Sequence, residues 1–151
     1  MALGYPHSCT SVAWYTAGMR ISQKGLYALQ ALVVLARHYP GDVVKIRDIA
    51  QEEQLPEKFL EAILRDLKRA RFVTSVRGAN GGYQLKRSPK EILLGDVIRR
   101  IDGPLAPFED AESLRDRVKM DEKHRSLFRV LLEVRDATAR ILDHTCLADL
   151  C

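Results

Sequence analysis

Apolar side chains recur at helical spacing through most of this chain, and one short stretch breaks that rhythm. From Ser22 to about His38, Leu26, Leu29, Ala31, Leu32, Val33, Leu35 and Ala36 cover a wide face, and Pro40-Gly41-Asp42 ends the pattern, which predicts a buried first helix. A shorter pattern from Ile46 to Glu53 keeps Ile46, Ile49 and Ala50 on one side, and Gln54-Leu55 reads as a turn. Pro56 suits a first helical position, and Phe59, Leu60, Ile63, Leu64 and Leu67 predict a third helix reaching about Ala70. Its other face carries Lys58, Glu61, Arg65, Lys68 and Arg69. The period then changes to two: Val73 to Val76 and Tyr83 to Leu85 suit pleated strands, with Gly78, Asn80, Gly81 and Gly82 supplying residues that tolerate positive φ in a tight reversal. Helical spacing returns at Ile92, Leu94, Val97, Ile98 and Ile101, and Asp102-Gly103-Pro104 stops it. The segment from Leu105 to about Lys123 mixes charges with Pro107 and reads as a connecting loop with one short helical turn. From His124 onward Leu127, Phe128, Leu131, Val134, Thr138, Ile141 and Leu142 predict a helix of about 20 residues with Arg125, Arg129, Glu133 and Asp136 outside.

Two helices joined by a short turn, the second basic outside and followed by a hairpin, predict a winged helix-turn-helix. The fold class is therefore mainly α with a small β-hairpin, extended by a long C-terminal dimerisation helix. The expected division is an N-terminal extension (1–18), a winged helix-turn-helix domain (19–103), a linker and sensing loop (104–123), and a dimerisation helix with its tail (124–151). If the stripe of the third helix packs on the first two, its exposed N-terminal half is left to enter a major groove. There Lys58 can donate to phosphate or guanine, Glu61 can accept from a cytosine amino group, and Arg65 suits a phosphate clamp. The plain alternative for each is a solvated helix charge, or for Glu61 an ion pair with Arg65 one turn on. In the hairpin, Arg77 stands beside a tip with little side-chain bulk, Asn80 included, so backbone and guanidinium can both approach a groove. A glycine-rich hairpin with no partner is the competing reading. The final helix needs something to cover Leu127, Phe128, Leu131, Val134, Ile141 and Leu142, and its position beyond a linker favours the same helix of a second copy over its own domain.

Charge supports this assignment because it is uneven. Residues 1–18 carry none, residues 19–103 hold 16 Lys/Arg against 10 Asp/Glu, and residues 104–151 hold 8 against 10. A basic segment coincident with the hairpin is the footprint expected of a phosphate-binding surface. Hydrophobic content of 46% is ordinary for a soluble domain, and no apolar run reaches the roughly 20 residues that span a bilayer. Three scattered cysteines, Cys9, Cys146 and Cys151, do not form a disulfide framework, which fits a cytoplasmic location. Residues 1–18 lack a basic n-region and are interrupted by Gly4, Pro6 and Ser8, so no secretory signal is expected, and the patterned segment from Met19 suggests a natural start there. Packing of Trp14 and Tyr15 on the body would instead make this arm structural.

Together these residues resemble the family of small bacterial winged-helix repressors to which IscR, NsrR and CymR belong. The likeness covers Met19 to Leu150 and is carried by Met19-Arg-Ile-Ser-Gln-Lys-Gly-Leu-Tyr-Ala28, Ile49-Ala50, Phe59-Leu-Glu-Ala-Ile-Leu64, Val76-Arg-Gly, Gly81-Gly-Tyr, Gly95-Asp-Val-Ile98 and Leu147-Ala-Asp-Leu150. The resemblance implies a bacterial homodimer whose recognition helices enter successive major grooves of a pseudo-palindromic operator while the wing arginine enters the minor groove. That role falls on Pro56, Lys58 and Glu61 in the helix and on Ser75 and Arg77 in the wing. It also implies an iron–sulfur cluster in many members, held by three close cysteines before the long helix. Here Pro104 to Leu127 contains no cysteine, and Glu109, Asp110, Asp121 and His124 cannot replace three thiolates, so no cluster, and no other cofactor, is expected.

The leading expectation is a DNA-binding transcriptional regulator, a repressor, without catalytic activity. No phosphate loop, nucleophile elbow or metal-spaced group of His, Cys and carboxylate competes with it, and His144 with Cys146 is too sparse for zinc. Two other classes stay open: a winged-helix adaptor that docks a protein partner, and a redox or metabolite sensor using the linker, an effector, or Cys146 and Cys151. On a continuous helix the five-residue spacing of those thiols points them to different faces, and the plain alternative is a packed Cys146 and a frayed Cys151.

Overall fold

The computed structural model describes residues 21–104 and 111–151; Met19, Trp14, Tyr15, Cys9, Glu109 and Asp110 lie outside them. Helices α1 (Gln23–Arg37), α2 (Ile46–Glu52) and α3 (Glu57–Arg69) are followed by strands β1 (Val73–Val76) and β2 (Gly82–Leu85), then α4 (Leu94–Ile101), α5 (Ala111–Met120) and α6 (Arg125–His144). None of the described helices is long and apolar enough to cross a membrane. Mainly helical structure with one antiparallel hairpin is the class that periodicity predicts.

The core forms where the stripes of α1, α3 and α4 meet. Ala28, Ala31, Leu32 and Val34 of α1 and Leu60, Ile63, Leu64 and Leu67 of α3 are fully buried, joined by Val97 of α4 and by Phe72 and Val73 at the start of the wing. Phe59, which the sequence pattern assigns to that stripe, is 41% exposed instead. It lies at the stripe's margin, about 100° around the helix from Leu60, and packs edge-on against Tyr27 of α1 with ring centroids 5.7 Å apart.

Both helices of the helix-turn-helix end in the same way. After α2, Leu55 donates to Ala50 and Gln54 to Gln51; after α3, Phe72 donates to Leu67 and Arg71 to Lys68. These are the paired bonds of a Schellman motif, and the residue in the left-handed region is Gln54 (φ 53°) in one and Arg71 (φ 63°) in the other. Neither position holds the usual glycine, which is why composition does not flag them. Pro56 is the N-cap of α3, one position earlier than expected, and makes no side-chain capping bond.

The hairpin pairs Val73 with Leu85, Thr74 with Gln84, Ser75 with Tyr83 and Val76 with Gly82. A third segment supports it, because Val44 and Tyr83 exchange both main-chain hydrogen bonds, at 2.9 and 2.8 Å. Of the turn residues expected at positive φ, only Gly78 adopts it, at 114°. Gly82 is needed for a different reason: a Cβ there would lie 2.3 Å from the Val44 carbonyl oxygen.

Beyond α4 the chain departs from the sequence reading. Residues 111–120, expected as loop, form α5, with Leu114 buried and the Arg117 guanidinium 5.3 Å from the centre of the Phe128 ring. Its apolar side is too narrow to stand out: Leu114 and Val118 face one way, and five charged residues lie among the others. The tail also returns to the core. Leu147 is fully buried, its N–H donates to Ile92, Leu93 and Cys146 form an antiparallel bridge, and Leu94 donates to Thr145. Ile92 therefore belongs to this return, ahead of the first turn of α4, while a 3₁₀ turn at Pro89–Glu91 leads into it. Between α4 and α6, Arg99 donates to Asp143 at 2.7 Å, and Gly95 leaves room for that carboxylate, since a Cβ there would lie 2.0 Å from Asp143 Oδ1. The charge-assisted bond holds the Asp143 carboxyl below its ordinary range and raises Arg99.

At the other end of α4, Asp102 clasps the start of α1. It accepts from the Ser22 main chain at 2.8 Å and from the Ser22 hydroxyl, while Ser22 Oγ accepts from Gly25 N at 3.0 Å. A carboxylate beside the N-terminus of a helix with no acidic residue in its own first turn is favourably placed in the helix field. A Cβ on Gly25 would lie 2.2 Å from Asp102 Oδ2, so the clasp requires glycine. Gly25→Ala should therefore lower stability by about 1–2 kcal/mol. In an Asp102→Ala background the same change should be neutral or stabilising by up to ~1 kcal/mol, because only helix propensity is left. Denaturant melts of the four proteins check the cycle, and equal costs in both backgrounds would show that the contact is not responsible.

Candidate nucleic-acid interface

The burial of α3 fixes what it presents outward. With Leu60, Ile63, Leu64 and Leu67 inward, the opposite line of the helix runs Lys58, Ala62, Arg65, Arg69, all exposed. Glu61 lies between this line and the wing, exposed, and Pro56 is exposed at the helix start. The sequence reading named Lys58, Glu61 and Arg65 and did not assign Ala62 or Arg69 to readout. Helical spacing alone could have included them, but neither type of residue announces a role: alanine has no polar group, and an arginine in a last turn is a common helix-end cation.

The two flanks of α3 differ. On one, Asp66 accepts from Lys24 of α1 at 2.6 Å and from Arg69 at 3.4 Å. The Lys24 hydrogen bond holds the Asp66 carboxyl below its ordinary range, so this flank keeps an anion that partly neutralises both cations. On the other, Lys68 Nζ donates to Ser75 Oγ at 2.6 Å and fastens the helix to β1. Ser75 was assigned a DNA role from the sequence. Having accepted from Lys68, its hydroxyl retains its own proton to donate, so the two uses are compatible.

Arg77 leaves the end of β1 exposed, followed by the exposed Gly78, Ala79 and Asn80. Lys58, Arg65 and Arg77 take part in none of the ion pairs among the described residues, in contrast to Lys24 and Arg69. The base of the wing adds Lys86 and Arg87, the latter 5.1 Å from the centre of the Phe72 ring. Arg71, held at positive φ and exposed, stands between the helix and the wing. Lys45 and Arg47 line an open groove with Ile46, Asp48 and Glu57, beside the start of α3. The outward line of α3, the wing and the adjoining loops are thus rich in exposed cations, the composition that suits a phosphate backbone while a helix addresses base edges.

The remaining sequence candidates lie away from this face. Of the dimerisation residues, Leu127, Val134 and Ile141 are 54%, 50% and 63% exposed, whereas Phe128, Leu131 and Leu142 are half-buried. Val130, 55% exposed, lies on the same side as the three more exposed ones. Cys146 and Cys151 are free thiols and do not share a continuous helix, because α6 ends at His144. Cys146 is half-buried at the head of a 3₁₀ turn, its N–H donating to Asp149 at 2.8 Å, and the exposed Cys151 donates its thiol to Leu147 at 3.4 Å. Among the described residues no group of three or more His, Cys, Asp or Glu could hold a metal ion.

Comparison with known proteins agrees with this geometry. The family model Rrf2, described as iron-dependent transcriptional regulator, matches residues 21–151. The HTH-type transcriptional regulator CymR of Bacillus subtilis is 37% identical over 132 residues, covering 87% of this chain and 89% of that protein. The solved structure of CymR (YrzC), the global cysteine regulator of B. subtilis, superposes with a TM-score of 0.75 at 34% identity, over 87% of this chain and 95% of that one. That of T. potens IscR does so with a TM-score of 0.61 at 36% identity, over 88% and 86%. The chain therefore belongs to the Rrf2 family and is a DNA-binding transcriptional regulator with a winged helix-turn-helix, not an enzyme.

Proposed function

We propose that the protein is a cytoplasmic, homodimeric repressor that binds a pseudo-palindromic operator without an iron–sulfur cluster, with α3 in the major groove and the β1–β2 wing in the minor groove. The observation that carries this reading is the exposed line Lys58–Ala62–Arg65–Arg69, joined to the wing through Lys68 and Ser75 and continued by the unpaired Arg77. For the dimer, the support is the outer side of α6. Leu127, Val130, Val134 and Ile141 are spaced by three, four and seven residues, the a and d positions of a heptad seam, and are each at least half exposed in a single chain. Such a seam matches a second copy of itself in an isologous pairing.

The cofactor reading rests on ligand chemistry. A cluster of the usual kind needs closely spaced thiolates, and the sequence from Pro104 to Leu127 contains none. Cys146 and Cys151 lie beyond the opposite end of α6 from the α5–α6 turn, about 30 Å away along a 20-residue helix. At that turn Asp121 accepts from the main chain and ring of His124, at 2.9 and 3.1 Å, which makes a pair and not a ligand set. The residues present do not fit a cluster of that kind.

Three measurements test this reading. Arg77→Ala should weaken binding to a selected genomic fragment by roughly tenfold and flatten the salt dependence by about one unit of log–log slope per subunit; unchanged affinity would remove the wing from the interface. Val134→Glu should convert the dimer to a monomer by light scattering with helix content retained, and a dimer that persists would place the contact elsewhere. Protein purified without oxygen should lack visible charge-transfer bands, and their presence would overturn the cluster-free assignment.

A further inference from the structure

The outward line of α3 has one uncharged member. Ala62 lies between Lys58 and Arg65, exposed, about one turn from each, and the partly exposed ring of Phe59 stands three residues before it, on the side of this line that faces α1. Polar residues are expected on the solvated line of a surface helix, so an alanine and a 41% exposed phenylalanine on the half that enters a groove call for a physical account. Helix propensity favours alanine throughout the interior of α3 but does not single out this position, since the Ala62 methyl is outside the core. Phe59 is held in place by its edge-on contact with Tyr27, whose hydroxyl in turn accepts from Gln23 at 2.7 Å. Its ring is thus fixed before any ligand arrives, which reduces the ordering cost of a contact.

The dimensions make Ala62 decisive. A helix with its side chains is about 10–12 Å across and the major groove about 12 Å wide. A long side chain at position 62 would fill the space between Lys58 and Arg65, whereas a methyl leaves room for the backbone to approach the bases while those two flexible side chains bend toward phosphates on either side. At that depth the only apolar group on the floor of the groove is the 5-methyl of thymine, for which alanine and phenylalanine are suitable partners.

We infer that Ala62, flanked by Phe59, reads thymine through its 5-methyl group and is a specificity-determining residue of the recognition helix. The inference rests on the DNA-binding geometry proposed above and adds the base class. Its test uses the full-length protein and a genomic fragment recovered by selection, prepared once with thymidine and once with deoxyuridine throughout, which removes the methyl and leaves every hydrogen-bonding edge in place. The wild type should bind the thymidine fragment more tightly by about fourfold per contacted methyl, or roughly 15-fold for one methyl in each half-site. In Ala62→Gly the ratio should fall toward one. Ala62→Gln, which keeps a good helix former, should also lose it, since its amide pairs with adenine and not with a methyl. Arg77→Ala should weaken both fragments and keep the ratio. Equal binding of the two fragments by the wild type, or a ratio that survives in both Ala62 variants, overturns the inference while leaving the DNA-binding reading intact. Failure of the wild type to select any DNA overturns that reading itself, and the inference with it.

Discussion

The burial of one side of α3 governs the rest of the molecule. Leu60, Ile63, Leu64 and Leu67 are all fully buried, and each such side chain contributes about 1.5–3 kcal/mol to folding. Rotating the helix to present any other line would expose these groups and bury Lys58 or Arg65 without partners, which costs more than it returns. The identity of the outward line is thus settled by the inward one, and the hairpin inherits its position because Phe72 and Val73, the first residues after the helix, are buried in the same core. The Schellman closures at Gln54 and Arg71 make the two reversals sharp enough for this to happen within very few residues.

The second dependency joins the ends of the described chain. Asp102 at the end of α4 holds the start of α1, while Arg99 on the same helix holds Asp143 near the end of α6. Both contacts need a glycine opposite, Gly25 and Gly95, so that close approach of backbone and carboxylate replaces side-chain packing. α4 is short, yet it packs against both α1 and α6.

Much of this was legible in the sequence, and the reasons are particular. α1, α3 and α6 have stripes wide enough to fix both type and limits, and the change of period at Val73 marked the wing. The location of Lys58, Glu61, Arg65 and Arg77 on an exposed face followed from the same arithmetic. What was hidden depended on pairings distant in sequence. No local pattern tells that Leu147 is buried against Ile92, that Val44 completes the hairpin, or that Ser75 is tied to Lys68, since each bond joins segments whose own composition is unremarkable. α5 was missed because a helix covered on one narrow side resembles a charged loop.

The clasp between Arg99 and Asp143 has a mechanical consequence. A long helix joined to a domain through a flexible linker would absorb a disturbance at its far end by pivoting, and nothing would reach the other side. Here α6 is fastened at its C-terminal end by an ion pair, by the Leu93–Cys146 bridge and by the buried Leu147. Its direction relative to the domain is therefore set at that end, and the same short helix, α4, holds the first turn of α1 through Asp102, beside the Lys24–Asp66 contact with α3.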